Sequence, residues 1–242
     1  MRTLFTLAPQ LTERIRDFRV ERLAKIAARA APVRLLDEAC LIMHAVPFSS
    51  FDPSASLPVA EVSKHTNPFV PMGSVGSQNP LVNFDGVLIT SNADRTAPTQ
   101  RAYMQVYRTG RLETVASSIW RGAARRLSSI WIESMVLPAL VRSLKGLQAL
   151  GVEPPYAVMM SLIGVKGAQM TVGRKETWFE DDEISVLSED QYHFAEVILE
   201  SVPNSNQECG KMLRPFIEQL ANTAGRPTSS SFDGDGEYIN LF

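Results

Sequence analysis

The strongest hydrophobic pattern in the chain lies between residues 129 and 165. Leucine and valine side chains recur there at steps of three and four, which is the spacing of one face of an α-helix. Pro138 is expected in the first helical turn, where its missing N–H leaves no bond unmade, so the helix is predicted to begin near Ser134, after a strand around Ile130. Gly151 suits the left-handed residue that follows a helix, which predicts an end near Leu150. The apolar face consists of Leu137, Leu140, Val141, Leu144, Leu147 and Leu150.

Two apolar runs have the pattern of buried β-strands. Residues 156–165 are hydrophobic at nearly every position, as expected of a strand at the centre of a sheet. Residues 40–46 show the same pattern and end before a proline. His44 interrupts this second run, and we interpret it as a core residue with one satisfied nitrogen rather than as a ligand.

Residues 103–115 have the clearest hairpin pattern. Two alternating segments flank a Thr-Gly pair, the kind of dipeptide that closes a tight turn between antiparallel strands. The alternation places Tyr103, Gln105 and Tyr107 on one face of the sheet, with Met104 and Val106 on the other.

Together these segments predict an α+β fold: a mostly antiparallel sheet of about five to seven strands, packed by two or three helices. Further helices are predicted over residues 12–28 and 209–224, and a further strand over residues 193–200. Residues 1–30 are assigned to a basic N-terminal helical arm, and residues 31–242 to a single α+β domain. A long loop rich in proline, serine and glycine is predicted near residues 52–82.

Composition narrows the class of protein. Hydrophobic residues make up 45% of the chain and charged residues 21%, which is ordinary for a globular protein with a sizeable core. The net charge of −2 gives no global signal for nucleic acid or for an anionic membrane. Cys40 and Cys209 are too few and too far apart for a disulfide framework or a zinc site. With no signal-peptide pattern and no spanning segment, the sequence predicts a soluble, cytoplasmic protein that binds no membrane.

Candidate chemistry is sparse. Phosphate-binding glycine loops, metalloprotease and hydrolase motifs and paired CxxC motifs are all missing from the sequence, so no catalytic residue, metal ligand or cofactor is predicted. Two arginine-rich stretches are weak candidates for nucleic-acid binding, because guanidinium groups pair with phosphates and Trp120 beside the second stretch offers a stacking surface. The competing interpretation is a solvated surface balanced by nearby acids. The candidate residues are Arg16, Arg19, Arg22, Arg121, Arg125 and Arg126.

Several short blocks resemble the region that follows the Schlafen-AlbA-type domain in bacterial proteins described as ATP-binding or putative DNA-binding. In that family the nucleotide or nucleic-acid role is attributed to the AlbA-type domain, which this sequence lacks. The resemblance therefore implies a companion module and carries over no active residue. The blocks are IRDFRVERLAKI, IMHAVPFSSFD, NFDGVLI, YMQVYRTGRLETV, LGVEPPYAVMMSLIGVKG, LRPFIEQLANTAGRP and FDGDGEY.

Three functional hypotheses follow. The leading one is a non-catalytic interaction or regulatory module, a companion to a nucleotide- or nucleic-acid-handling protein, with a protein partner or a second copy bound to it. The second is nucleic-acid binding through the local arginine patches. The third is a small-ligand sensor in which the loop near residues 52–82 folds over one face of the sheet.

Overall fold

A computed structural model describes residues 9–74, 80–91, 97–120, 125–172 and 185–239. Within these residues the helices are α1 Pro9–Ala27, α2 Val59–Lys64, α3 Ser129–Ala149, α4 Asn206–Met212 and α5 Arg214–Thr223. The strands in the same residues are β1 Cys40–Pro47, β2 Pro80–Val82, β3 Gly86–Thr90, β4 Ala102–Tyr107, β5 Leu112–Ala116, β6 Arg126–Ser128, β7 Tyr156–Ile163, β8 Gln169–Thr171, β9 Ser185–Val186, β10 Gln191–His193 and β11 Val197–Leu199. The α+β class is thus confirmed.

The described strands form one large antiparallel sheet and one small sheet. The large sheet has eight strands in the order β10-β7-β1-β5-β4-β3-β2, with β11 also paired to β7. The small sheet contains β6, β8 and β9, with β6 parallel to β8. The large sheet therefore exceeds the predicted five to seven strands, because β2, β10 and β11 have only three residues each and carry little pattern.

The hairpin β4–β5 and the strand β7 follow the sequence pattern closely. Strand β7 is buried along its whole length and pairs with β1 on one side and with β10 and β11 on the other. In β4, Met104 and Val106 pack in the main core, whereas Tyr103 packs on the opposite face of the sheet. Gly110 takes the positive φ of 83° that the turn between β4 and β5 requires.

Helix α3 covers one face of the sheet and begins earlier than predicted. Its first residue is Ser129, because the hydroxyl of Ser128 caps the helix by accepting the N–H of Trp131 at 3.4 Å. The predicted strand around Ile130 is therefore wrong. Pro138 lies inside the helix, where the burial of the apolar face outweighs the lost backbone bond. Both short helices α4 and α5 pack against α3 on this side of the sheet, and they replace the single helix predicted over residues 209–224.

The segment predicted as a long loop is largely packed where the structure describes it. It contains α2 and a 3₁₀ turn, Asn67–Phe69, that lies directly on α3. A Cβ atom added at Gly146 of α3 would come within 2.5 Å of the Pro68 Cβ, so the glycine permits this contact. Phe69 and Met72 are buried in the main core. The hydrophobic pattern did not predict this packing because prolines and short turns interrupt any regular period in the segment.

Helix α1 lies on the other face of the sheet. Ile15 and Phe18 pack against strands β1 and β7, while Leu23 and Ile26 pack with Ile42 and Tyr103. The helix is therefore an integral layer over the sheet, although the division between residues 1–30 and 31–242 stays a prediction. No helix in the described part of the chain is both long enough and apolar enough to span a bilayer.

Candidate functional site

A buried carboxylate, Glu113, lies at the centre of the interface between α1 and the sheet. Arg22 of α1 donates to both of its oxygens, each at 2.8 Å. The Tyr103 hydroxyl donates to Oε1 at 2.7 Å, and His44 Nε2 lies 3.0 Å from Oε2. Each carboxylate oxygen thus has two partners, drawn from α1, β1 and β4.

This network keeps Glu113 ionised. Burial alone would raise the pKa of the carboxyl, but the hydrogen bonds and charges of Arg22 and His44 outweigh burial and lower the pKa to about 2. Burial likewise works against the charged form of Arg22, yet the bonds and charge of Glu113 raise the pKa of Arg22 above its usual value. The direction of both pKa shifts and the two 2.8 Å contacts favour a charged carboxylate paired with a charged guanidinium.

The groups around the pair are enclosed as well. His44 Nδ1 and the Tyr107 hydroxyl are buried, and neither makes a hydrogen bond with any described residue. The Phe18 ring meets His44 and Tyr107 edge-on, with centroids 5.4 and 5.6 Å away. The cluster therefore fixes α1 on the sheet. It agrees with the interpretation of His44 as a core residue with one satisfied nitrogen.

An open groove runs along the outer side of α1. Its two walls are α1 and the end of the sheet at β10, and its volume is about 440 Å³. Val20, in the helical wall, is 65% exposed and lies among alanine and leucine side chains. The lining residues are Arg16, Arg19, Val20, Leu23, Ala24, Ala27, Gln191, His193 and Glu196.

Two arginines give this groove a charged side. Arg19 is buried at its base and donates to the carbonyl oxygens of Phe194 and Met160, each at 3.1 Å. Arg16 is more exposed and pairs with Glu196 at 3.1 Å. With two guanidinium groups against one carboxylate, the charged side carries a net positive charge. Burial, and then the charge of Arg19, lower the pKa of His193, which favours its neutral form.

Strand β10 offers backbone groups to the same groove. It ends the sheet on this side, and the Phe194 N–H donates inward to the Met160 oxygen at 3.1 Å. Backbone hydrogen bonds alternate along an antiparallel pair of strands. The N–H and C=O of Tyr192 therefore also face β7, whereas those of Gln191 and His193 point away from the sheet. Among the described residues, no strand pairs with this outer edge.

The structure places the six predicted arginines in different settings. Arg19 and Arg22 are buried and donate to groups within the protein, as described above. Arg125 donates to the Gly164 oxygen at 2.9 Å and lies over the Trp120 ring at 5.1 Å. Arg126 contacts Gln169 Oε1 at 3.4 Å. Arg16 lies at the groove, and Arg121 falls outside the described residues.

The groove was not predicted from the sequence. The helical wall of the groove could have been recognised, because Val20, Leu23, Ala24 and Ala27 recur at helical spacing beside the buried stripe of α1. The wall at β10 could not, since this strand is too short to show a pattern and its edge position depends on the whole sheet. Within the described ranges no cluster of three or more His, Cys, Asp or Glu side chains is arranged to hold a metal ion.

Comparisons of this chain with models of protein families, with curated proteins and with solved structures gave no match.

Proposed function

We propose that the protein is a non-catalytic interaction module that binds an extended segment of a partner protein in the groove between α1 and β10. The observation that carries the proposal is the open, mainly apolar groove beside the outer edge of β10, with which no described strand pairs. An added strand would satisfy the outward N–H and C=O groups of β10, and its alternate side chains would enter the groove beside Val20. The resemblance in the sequence suggests that the partner handles nucleotides or nucleic acid.

The charge of the groove defines the segment further. Arg16 and Arg19 together outweigh Glu196, so an acidic residue next to an apolar one is favoured. The expected ligand is a short extended peptide with an aromatic or aliphatic anchor flanked by aspartate or glutamate.

The Glu113 cluster supports a binding role over a catalytic one. Both oxygens of Glu113 are occupied by bonds from Arg22, Tyr103 and His44 that hold α1 on the sheet, and the low pKa of Glu113 makes it a weak base. The cluster instead provides a rigid wall for the groove, which reduces the entropy cost of binding a peptide.

A peptide library tests the proposal. A random 12-residue library displayed on phage is panned against the protein, and selected peptides are titrated by calorimetry. We expect peptides with an apolar anchor beside an acidic residue, and Val20→Glu should weaken them roughly tenfold or more because it puts a charge in the apolar wall. Val186→Glu is the matched control, since Val186 is 64% exposed and does not line the groove.

Two results would contradict the proposal. One is a library with no enriched peptide, or peptides whose affinity is the same for Val20→Glu and for the wild type. The other is turnover of a nucleotide, a nucleic acid or an ester substrate that a single carboxylate substitution abolishes.

A further inference from the structure

The groove between α1 and β10 has different chemistry at its two ends. At the arginine end, Arg16 pairs at 3.1 Å with Glu196, which follows β10 in the chain. At the alanine end, Ala27 and Gln191 line the groove together, and both also line the neighbouring cavity at the C-terminal end of α1. Helix α1 therefore runs in the opposite direction to β10, and the arginine end lies beyond the C-terminal end of the strand.

A bound strand can pair with only a short stretch of this edge. The N–H and C=O of Gln191 and of His193 point away from the sheet, as described above. Beyond them, the Ala195 N–H already donates to Gln219 Oε1 at 2.7 Å. Every pair of described strands in the large sheet is antiparallel, and antiparallel pairing is also the more stable kind. A ligand strand that is antiparallel to β10 would use all four outward groups.

This direction of pairing decides which ligand side chains enter the groove. Residues opposite each other in an antiparallel pair have their side chains on the same face of the sheet. Because Gln191 and His193 line the groove, the two ligand residues opposite them also face it, and the residue between these two faces away. Since the strands run in opposite directions, the ligand residue opposite His193 comes first in the ligand chain.

The two ligand side chains then meet different surroundings. Burial and the charge of Arg19 lower the pKa of His193, which places Arg19 close to the first position. Arg19 and Arg16 favour an acid there. The second position, opposite Gln191, faces the alanine end, where the small side chains of Ala24 and Ala27 leave room for a large apolar residue.

From this geometry we infer that the groove binds a directed motif: an acidic residue, then one residue that faces away, then a large apolar residue. The inference rests on the proposed function of the groove and adds the order and the spacing of the two side chains in its ligand. The reversed order would place the carboxylate against the alanines and the apolar side chain among the arginines. The groove should therefore distinguish two peptides that have the same composition.

Two such peptides test the order. One has aspartate two residues before phenylalanine, the other has these two residues exchanged, and both have the same flanks of threonine and serine. Binding of the fluorescein-labelled peptides to the protein is measured by fluorescence anisotropy at about 50 mM salt, where charges are little screened. We expect the peptide with aspartate first to bind roughly tenfold more tightly than the reversed one.

A charge substitution tests the cause of this preference. Arg16→Gln leaves Glu196 to balance Arg19, so the preference between the two peptides should fall below about threefold. Arg14→Gln is the matched control, because it removes the same charge from the same helix, and Arg14 lies over the Phe51 ring and does not line the groove. This control should keep the full preference. Circular dichroism and thermal melting check that both variants fold.

Three outcomes would overturn the inference. They are a reversed peptide that binds as tightly as the first or more tightly, an Arg16→Gln variant that keeps the full preference, and a failure of both peptides to bind. The proposed function would survive each of them as long as peptides from the random library bind in a Val20-dependent manner. If the library also yields no such peptide, the groove is not a peptide site, and the proposed function falls as well.

Discussion

Glu113 and Glu133 are both fully buried, yet their surroundings move their pKa values in opposite directions. Glu113 makes four hydrogen bonds with three residues, one of them an arginine, and its pKa falls to about 2. For Glu133 of α3, burial raises the pKa to about 7, and the hydroxyls of Ser231 and Tyr238, the latter donating at 3.0 Å, offset only part of this effect. Its Oε1 atom has no partner among the described residues. The difference predicts opposite responses to substitution and pH.

The substitution Glu113→Gln should destabilise the protein by about 3 kcal/mol, because it leaves the buried Arg22 without a counter-charge. Urea unfolding at pH 7 measures the change. The contribution of the carboxylate is complete above its unfolded pKa of 4.5 and disappears as the pH falls toward 2. The variant should therefore lose less stability than the wild type across that interval.

The surface pair Glu21–Lys25 serves as the control for this prediction. It has a similar short distance, 2.6 Å, but both side chains are exposed. Glu21→Gln should change the free energy of unfolding by less than about 0.5 kcal/mol. Equal effects of the two substitutions would show that Glu113 does not anchor α1.

For Glu133 the expected pH dependence has the opposite sign. The unfolded chain releases this proton near pH 4.5, whereas the folded protein keeps it until about pH 7. Stability should therefore decrease by about 3 kcal/mol, from this group alone, as the pH rises from 4.5 to 7. Above pH 7 this contribution should stay level. Glu133→Gln keeps the neutral form at every pH.

Comparing wild type and Glu133→Gln isolates this group from all others that titrate. Unfolding in urea at pH 5 and pH 8 gives two differences in free energy. The variant should be close to the wild type at pH 5 and more stable at pH 8. A difference that stays constant between the two pH values would mean that Glu133 does not hold its proton in the folded state.

At the scale of elements, the sequence predicted those whose burial follows a regular period. The leucine stripe of α3 and the uniformly apolar β7 could be recognised because packing against one or two layers imposes that period. The start of α3 was predicted five residues late because Pro138 was expected in the first turn, whereas the helix begins directly after the capping residue Ser128. A proline is tolerated inside a helix when the apolar face around it is buried.

The site was predicted poorly for a physical reason. Arg22 and Glu113 are 91 residues apart in the chain, and nothing in their local sequence indicates that they meet. A basic helix has the same pattern whether its arginines face phosphates, solvent or a buried acid. Which of these holds depends on the pairing of β1 with β5 and on the packing of α1, which are properties of the complete fold.

The internal bonds of the α1 arginines lower the affinity that the whole molecule is expected to have for nucleic acid. Because Arg19 and Arg22 are committed to internal bonds and the net charge is −2, non-specific affinity should be low. We expect no binding tighter than about 10⁻⁵ M to a 20-nucleotide single strand at 150 mM salt in a mobility-shift assay.

The double substitution Arg125→Ala and Arg126→Ala decides whether the second arginine stretch contributes. Arg125 is exposed, but it lies over Trp120 and donates to a backbone oxygen, so its guanidinium would have to give up these contacts to pair with a phosphate in full. We expect the double variant and the wild type to give the same weak shift at 50 mM salt. If the stretch did bind phosphates, the wild type would bind more tightly than the variant. The slope of log K against log [salt] would then be steeper for the wild type by about two released ions. That result would favour nucleic-acid binding over the peptide groove, because an arginine-lined surface would then supply the main binding energy.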